Sequence, residues 1–184
     1  MQLSKKICVI GLGYIGLPTG TLLANNGYQV LGVDVDRHVV DIINEGKVHI
    51  IEPDLEESVY AAVTSGNLHA STIPAHADVF IICVPTPFLN DNHCIPQPDL
   101  SYVIAGTKVI ADYVQPGNII ILESTSPVGT TELVRDTLKE CGVDISTLHI
   151  SYCPERVLPG RIMIELVDND RIVGGLSLEA TDLA

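Results

Sequence analysis

The sequence predicts an α/β domain built on a doubly wound, mostly parallel sheet with helices on both faces, and three observations carry that prediction. Short β-branched runs alternate with helix-like stretches along the chain. The runs at residues 78–84 and 118–122 are apolar without alternation, the pattern of strands buried on both faces. Residues 7–34, ICVIGLGYIGLPTGTLLANNGYQVLGVD, read as a strand, a glycine turn, a helix and a second strand.

That opening unit sets the reading of the rest. A strand at 7–10 runs into Gly11, Gly13 and Gly16. Gly11 suits the tight turn, Gly13 lets backbone approach a pyrophosphate, and Gly16 lets helix and strand pack closely. A phosphate would then sit on the helix N-terminus, where unpaired N–H groups and the macrodipole favour an anion. Asp34 closes the second strand eighteen positions after Gly16, where a carboxylate accepts hydrogen bonds from the ribose hydroxyls of a dinucleotide. The pattern is a Rossmann-type fingerprint that favours NAD over NADP, and Arg37 nearby leaves NADP as an open alternative. Lys5 and Lys6 ahead of an apolar run imitate a secretory signal. Breaks at Gly11, Gly13, Gly16, Pro18 and Gly20 argue against one.

The later elements follow in order. Apolar positions Val39, Val40, Ile42 and Ile43 predict a short helix at 36–44, stopped by Gly46. Residues 53–65 predict another, with Asp54, Glu56 and Glu57 in its first turn and Gly66 beyond its end. The strand at 78–84 ends in Pro85, Thr86 and Pro87, and a long polar, proline-containing loop reaches Pro98. Asp99 is expected to cap a helix running to Val114, with Val103, Ile104, Ile110 and Val114 on one stripe. After the strand at 118–122 comes Glu123-Ser124-Thr125-Ser126-Pro127-Val128-Gly129, then a helix at 130–141 closed by Gly142. The last strands are expected at 149–153 and 171–173.

Composition narrows the function. The chain has 184 residues, 46% hydrophobic and 18% charged, with a mean hydropathy of +0.32, which suits one domain with a substantial core. No apolar run approaches the ~20 residues of a membrane span. A net charge of −13 disfavours nonspecific nucleic-acid binding, so an anionic ligand must be held by local groups. Five cysteines without a CxxC pair suggest reduced thiols and a cytoplasmic protein, with Cys8, Cys83 and Cys153 as small strand residues. His93 and Cys94 are a weak metal pair without further ligand spacing, and no metal is expected.

Ligands of doubly wound sheets bind beyond the carboxyl ends of the strands. That rule selects residues 11–16, Asp34, residues 85–87, 123–129 and 154–161 as one rim. The rim motifs GLGYIGLP, VDVD, VPTP, ESTSPVGT and PERVLPGR, in that order, resemble the NAD-binding domain of the UDP-glucose/GDP-mannose dehydrogenase family. Its members use NAD to oxidise C6 of a nucleotide sugar to a carboxylate, and HIIEPDL, VPTPF and PERVLPGR are similar to the branch acting on UDP-N-acetyl-D-mannosamine.

The resemblance implies that Tyr14, Ile15 and Asp34 bind the pyrophosphate and adenosine ribose, and that Thr86 and Thr125 line the cofactor toward the nicotinamide. It also implies that Glu155, Arg156 and Val157 face the UDP-sugar, Thr125 and Glu155 supporting catalysis. Plainer roles stay open: Thr86 as a strand-end cap, Thr125 as a helix N-terminal hydroxyl, Glu155 and Arg156 as a surface ion pair. Some family members carry a second glutamate where Pro159 stands, so that acid's role does not transfer. The family's nucleophilic cysteine lies in later segments, together with its lysine and asparagine neighbours and a central helix that pairs subunits. The expectation is one NAD-binding domain, 1–184, that binds cofactor without completing the oxidation alone, in a full-length homodimer or higher assembly. A β-hydroxyacid dehydrogenase domain and a non-enzymatic NAD-sensing module are the two rival readings.

Overall fold

Strand β1 (Lys6–Ile10) alternates its side chains between two cores, and this split organises the computed structural model, which describes residues 5–89 and 96–184. Ile7 and Val9 join one buried cluster, Cys8 and Ile10 the other. The remaining strands are β2 (Gln29–Val33), β3 (Leu68–Ser71), β4 (Val79–Ile82), β5 (Ile119–Leu122), β6 (His149–Tyr152) and β7 (Gly174–Gly175). The sheet order is β3-β2-β1-β4-β5-β6-β7; all pairings are parallel except β6 with β7. The chain winds outward first to one side of β1 and then to the other, so the switch point lies between β1 and β4.

Helices cover both faces. On one, α1 (Gly16–Asn25), α2 (Arg37–Asn44) and α3 (Leu55–Thr64) pack Leu17, Ile43, Leu55 and Val59 against Val9, Val30 and Ile81. On the other, α4 (Ser101–Ile110) and α5 (Thr130–Glu140) pack Val103, Ile110, Val134 and Leu138 against Phe80, Ile82 and Ile120. Each fully buried side chain of this size contributes about 1.5–3 kcal/mol. Asp36 caps α2 by accepting the His38 N–H at 2.8 Å.

The structure amends several sequence expectations. The N-cap of α4 is Leu100 and not Asp99, although Asp99 accepts the Ser101 N–H at 2.9 Å, and α4 stops at Ile110, where the Ala111 and Tyr113 N–H groups make tighter i→i−3 bonds to Lys108 and Ile110 ahead of Pro116. The strand expected at 171–173 is instead β7, which begins three residues later, with Gly174 opposite Tyr152. Arg171 is drawn off the sheet edge by two acidic side chains described below. Edge strand β3 and the helices α6 (Ile162–Asp168) and α7 (Leu178–Leu183) carry no expectation from the sequence. The His93 and Cys94 pair lies outside the described residues.

Candidate functional site: the carboxyl-end rim

Because β1, β2, β4, β5 and β6 all run parallel, the five segments that follow them emerge on one edge of the sheet. The rim expected from the sequence is therefore a single surface. It is built around the switch point.

At its centre the glycine turn is held by close contacts. Gly11 has φ +91°, and a Cβ there would stand 2.5 Å from the Cys83 carbonyl oxygen. A Cβ on Gly16 would meet the Gly11 carbonyl oxygen at 1.9 Å. Gly13 has nothing within 4 Å of that position, so the backbone is open there. Gly11 N–H donates to the Val33 carbonyl at 2.8 Å, which fastens the turn to the end of β2. Among the described residues the N–H groups of Gly13, Tyr14 and Ile15 donate to no protein acceptor, and they stand at the mouth of α1. An open backbone, free N–H groups and a helix N-terminus fit a pyrophosphate.

Asp34 lies beside that cradle. Its Oδ2 accepts the Leu12 N–H at 2.9 Å and its Oδ1 the Asp36 N–H at 3.0 Å. A carboxylate oxygen accepts more than one hydrogen bond, so lone pairs are left for ribose hydroxyls. Arg37 is turned away along its own helix, pairing with Asp41 at 3.0 Å with 77% of its side chain exposed. Tyr14 is about half exposed over the turn, and Ile15 packs partly into the core. His49 opens the HIIEPDL motif but was given no role of its own from the sequence. Burial lowers its pKa against the opposing pull of Asp34 and Asp36, and its Nδ1 is buried without a partner.

At the other end Thr86 Oγ1 donates to the Thr125 carbonyl at 2.6 Å, joining the loops after β4 and β5. That excludes the helix-terminus role for Thr125, since α5 begins at Thr130 behind Gly129. Glu155 and Arg156 do not pair with each other through their side chains. Arg156 Nη2 donates to the Asp170 carbonyl at 2.8 Å and edges a groove of about 460 Å³ shared with Leu158, Glu165, Asn169 and Asp170. Val157 is half-buried beside it.

Glu155 is turned inward, its side chain 3% exposed, and its Oε2 lies 2.6 Å from Arg171 Nη1. The same nitrogen donates to Glu123 Oε1 at 3.0 Å, and Cys83 Sγ donates to Glu123 Oε2 at 2.9 Å. Burial raises the Glu123 carboxyl against its two donors and pushes the Cys83 thiol well above its ordinary range, with Glu123 adding to the second effect. Burial also raises Cys153. Burial works against the Arg171 charge, but the Glu123 hydrogen bond and both carboxylates outweigh it and its pKa lies above the usual arginine value. Glu123 fell inside the rim segment 123–129 without a role of its own, and Arg171 was not marked as a site residue by the sequence. The only local signal was a lone arginine after the polar run Asp168-Asn169-Asp170.

Residues 5–184 match the model of the UDP-glucose/GDP-mannose dehydrogenase family, NAD binding domain. UDP-N-acetyl-D-mannosamine dehydrogenase of Campylobacter jejuni is 49% identical over 100% of this chain and 47% of its own length. NDP-N-acetyl-D-galactosaminuronic acid dehydrogenase of Ralstonia nicotianae is 49% identical over 98% of this chain and 44% of its own. The structure of UDP-D-ManNAc dehydrogenase from Pyrococcus horikoshii superposes with a TM-score of 0.90 at 40% identity, over 97% of this chain and 43% of that one. The chain spans less than half the length of these relatives. A match across residues 5–184 also decides against a β-hydroxyacid dehydrogenase domain. The chain belongs to the UDP-glucose/GDP-mannose dehydrogenase family, as its NAD-binding domain.

Proposed function

We propose that this chain, 1–184, is the cofactor-holding domain of a nucleotide-sugar 6-dehydrogenase whose substrate is UDP-N-acetyl-D-mannosamine. The observation that carries the reading is the open N–H cradle of Gly13, Tyr14 and Ile15 next to Asp34. Gly11 and Gly16 keep the cradle narrow and Asp34 takes the adenosine ribose, while Arg37 joins the cofactor only by leaving its pair with Asp41. NAD bound there supplies the hydride acceptor. Thr86 and Thr125 line the far end, while the loop of Glu155, Arg156 and Val157 faces the sugar, with the Glu155 side chain turned inward and 3% exposed. Glu155 orients the reacting hydroxyl or water, and Arg156 engages sugar or phosphate oxygens.

The sugar assignment is supported by the 49% identity to the Campylobacter jejuni enzyme; the Ralstonia relative, equally similar, makes a galactosaminuronic acid derivative the nearest competitor. We place the reaction in the reducing cytoplasm, on the free thiols of Cys8, Cys83, Cys141 and Cys153. Among the described residues no helix is long and apolar enough to cross a membrane. The full-length protein works as a homodimer or larger assembly, as its resemblance to the family implies. Parallel calorimetric titrations of the chain with NAD and NADP test the cofactor reading: saturable NAD binding and weak NADP binding support it, and a folded chain that binds neither refutes it. The sugar is tested on full-length protein by NADH production with UDP-N-acetyl-D-mannosamine against its galactosamine counterpart.

A further inference from the structure

Glu155 sits where a solvent-facing acid would be expected, yet it is 8% exposed and its Oε2 is buried without a well-aligned hydrogen bond. Its Oε1 accepts the Arg156 N–H at 2.8 Å, a bond within its own loop that leaves the other oxygen to be held from elsewhere. The cation that reaches Oε2 comes from sixteen residues downstream, and the same nitrogen binds Glu123. Two carboxylates with side chains 4% and 3% exposed thus lean on one guanidinium, itself about a third exposed. Buried charges of like sign destabilise each other unless a counter-charge is shared between them.

We propose that Arg171 is a positioning residue for Glu155: anchored on its inner side by Glu123, it holds the Glu155 carboxylate at the sugar end of the rim, and the two acids compete for its charge. This deepens the proposed function and rests on Glu155 being the acid that faces the sugar. The charged and titratable groups facing Glu155 come from four places. They are Cys83 after β4, Glu123 after β5, Cys153 after β6 and Arg171 itself. Cys83 donates its thiol proton to Glu123, which keeps that acid in place behind the guanidinium. Cys153 Sγ lies 3.9 Å from Arg171 Nη1, too far for a strong bond, and leaves the nitrogen to the acids. Both contacts are made by Nη1 alone, so what the two acids share is one positive charge and not the guanidinium fork.

The consequence is a pair of opposite shifts. Removing the Glu123 charge releases Arg171 to Glu155 and lowers the Glu155 titration midpoint; removing the Arg171 charge raises it. The experiment is a carboxyl-carbon NMR pH titration of the glutamate-labelled chain, with Glu155→Gln identifying the resonance. The variants are Glu123→Gln, Arg171→Gln and Arg171→Lys, the lysine included because a neutral residue there strands two buried acids and risks the fold. We expect Glu123→Gln to lower the midpoint by about one pH unit, Arg171→Gln to raise it by at least as much, and Arg171→Lys to restore most of the difference. A midpoint unmoved by Glu123→Gln in a folded sample, or lysine and glutamine behaving alike at position 171, overturns the proposal. NAD calorimetry on the same samples judges the cofactor reading separately, so a failure of one is distinguishable from a failure of the other.

Discussion

The Leu12 backbone N–H donates to Asp34 Oδ2 at 2.9 Å, so the carboxylate expected to take the ribose also fastens the glycine turn. One side chain links the end of β2 to the loop after β1. Asp34→Ala removes both functions, and we expect NAD affinity to fall at least about tenfold, or ~1.4 kcal/mol. Asp34→Asn keeps an acceptor for Leu12 but drops the charge that repels a 2′-phosphate. It should narrow the preference for NAD over NADP while costing less NAD affinity than alanine does. Paired titrations of the two variants check both outcomes. Equal behaviour of Asn and Ala would mean that the turn, and not the ribose, depends on Asp34.

Gly13 and Gly16 separate binding from folding. A Cβ at position 16 would lie 1.9 Å from the Gly11 carbonyl oxygen, and backbone cannot yield as a flexible side chain can. Gly16→Ala should cost about 3 kcal/mol, or roughly 6–12 °C in Tm for a chain of this size. At Gly13 the same methyl meets nothing within 4 Å. Gly13→Ala should therefore melt within about 0.5 kcal/mol of the parent and still lose most of its NAD binding, because the methyl fills the approach to the free N–H groups. Thermal melts with and without NAD read both effects.

Burial raises the Glu123 carboxyl above its ordinary value of 4.5, which reverses the usual sign of a carboxylate's contribution to stability. With the folded-state pKa above the unfolded one, the native state binds more protons between the two values. The contribution is fully present below the unfolded value and is lost as pH rises through the folded one. Glu123→Gln removes that loss, so the stability difference between variant and parent should move in the variant's favour as pH rises from about 4 to 8. Urea melts across that range measure it. A difference that stays flat with pH would place the folded Glu123 pKa at its unfolded value.

How far all this is legible in the sequence depends on the range of the interaction. The runs that became β1, β4 and β5 are apolar because both faces are buried, and that pattern is local. Edge strand β3 carries the polar residues His69 and Ser71, His69 being exposed, and β7 is two glycines without side chains to pattern. α6 and α7 have seven and six residues and expose Ile164, Val167 and Leu178, so no clear stripe marks them. The glycine turn and Asp34 were legible because the whole constellation fits in one strand-turn-helix-strand unit. Arg171 was not, because its partner Glu123 is 48 residues away and nothing local distinguishes it from a solvated cation.

Glu52 shows the same limit and gives the last prediction. It belongs to the HIIEPDL motif, yet its side chain crosses to the far end of the chain, where Oε2 accepts the Gly160 N–H at 2.7 Å and Oε1 the Ile162 N–H at 2.8 Å. The residue is 7% exposed, and its bond to Ile162 is buried while that to Gly160 is partly so. They tie the loop before α3 to the PERVLPGR loop and satisfy an N–H at the start of α6, which has no side-chain cap of its own. Glu52→Ala leaves two inward-facing N–H groups without acceptors, at about 1–3 kcal/mol each. Glu52→Gln keeps one acceptor oxygen and turns an amide donor toward the other N–H, so it should fall between alanine and the parent. We expect Glu52→Ala to lower Tm and to open residues 154–161 to trypsin at Arg156 and Arg161, while the glycine turn, held by Asp34, keeps its NAD affinity within about threefold of the parent. Cleavage at those arginines that is unchanged in the variant would show that α6 and the loop hold each other without Glu52.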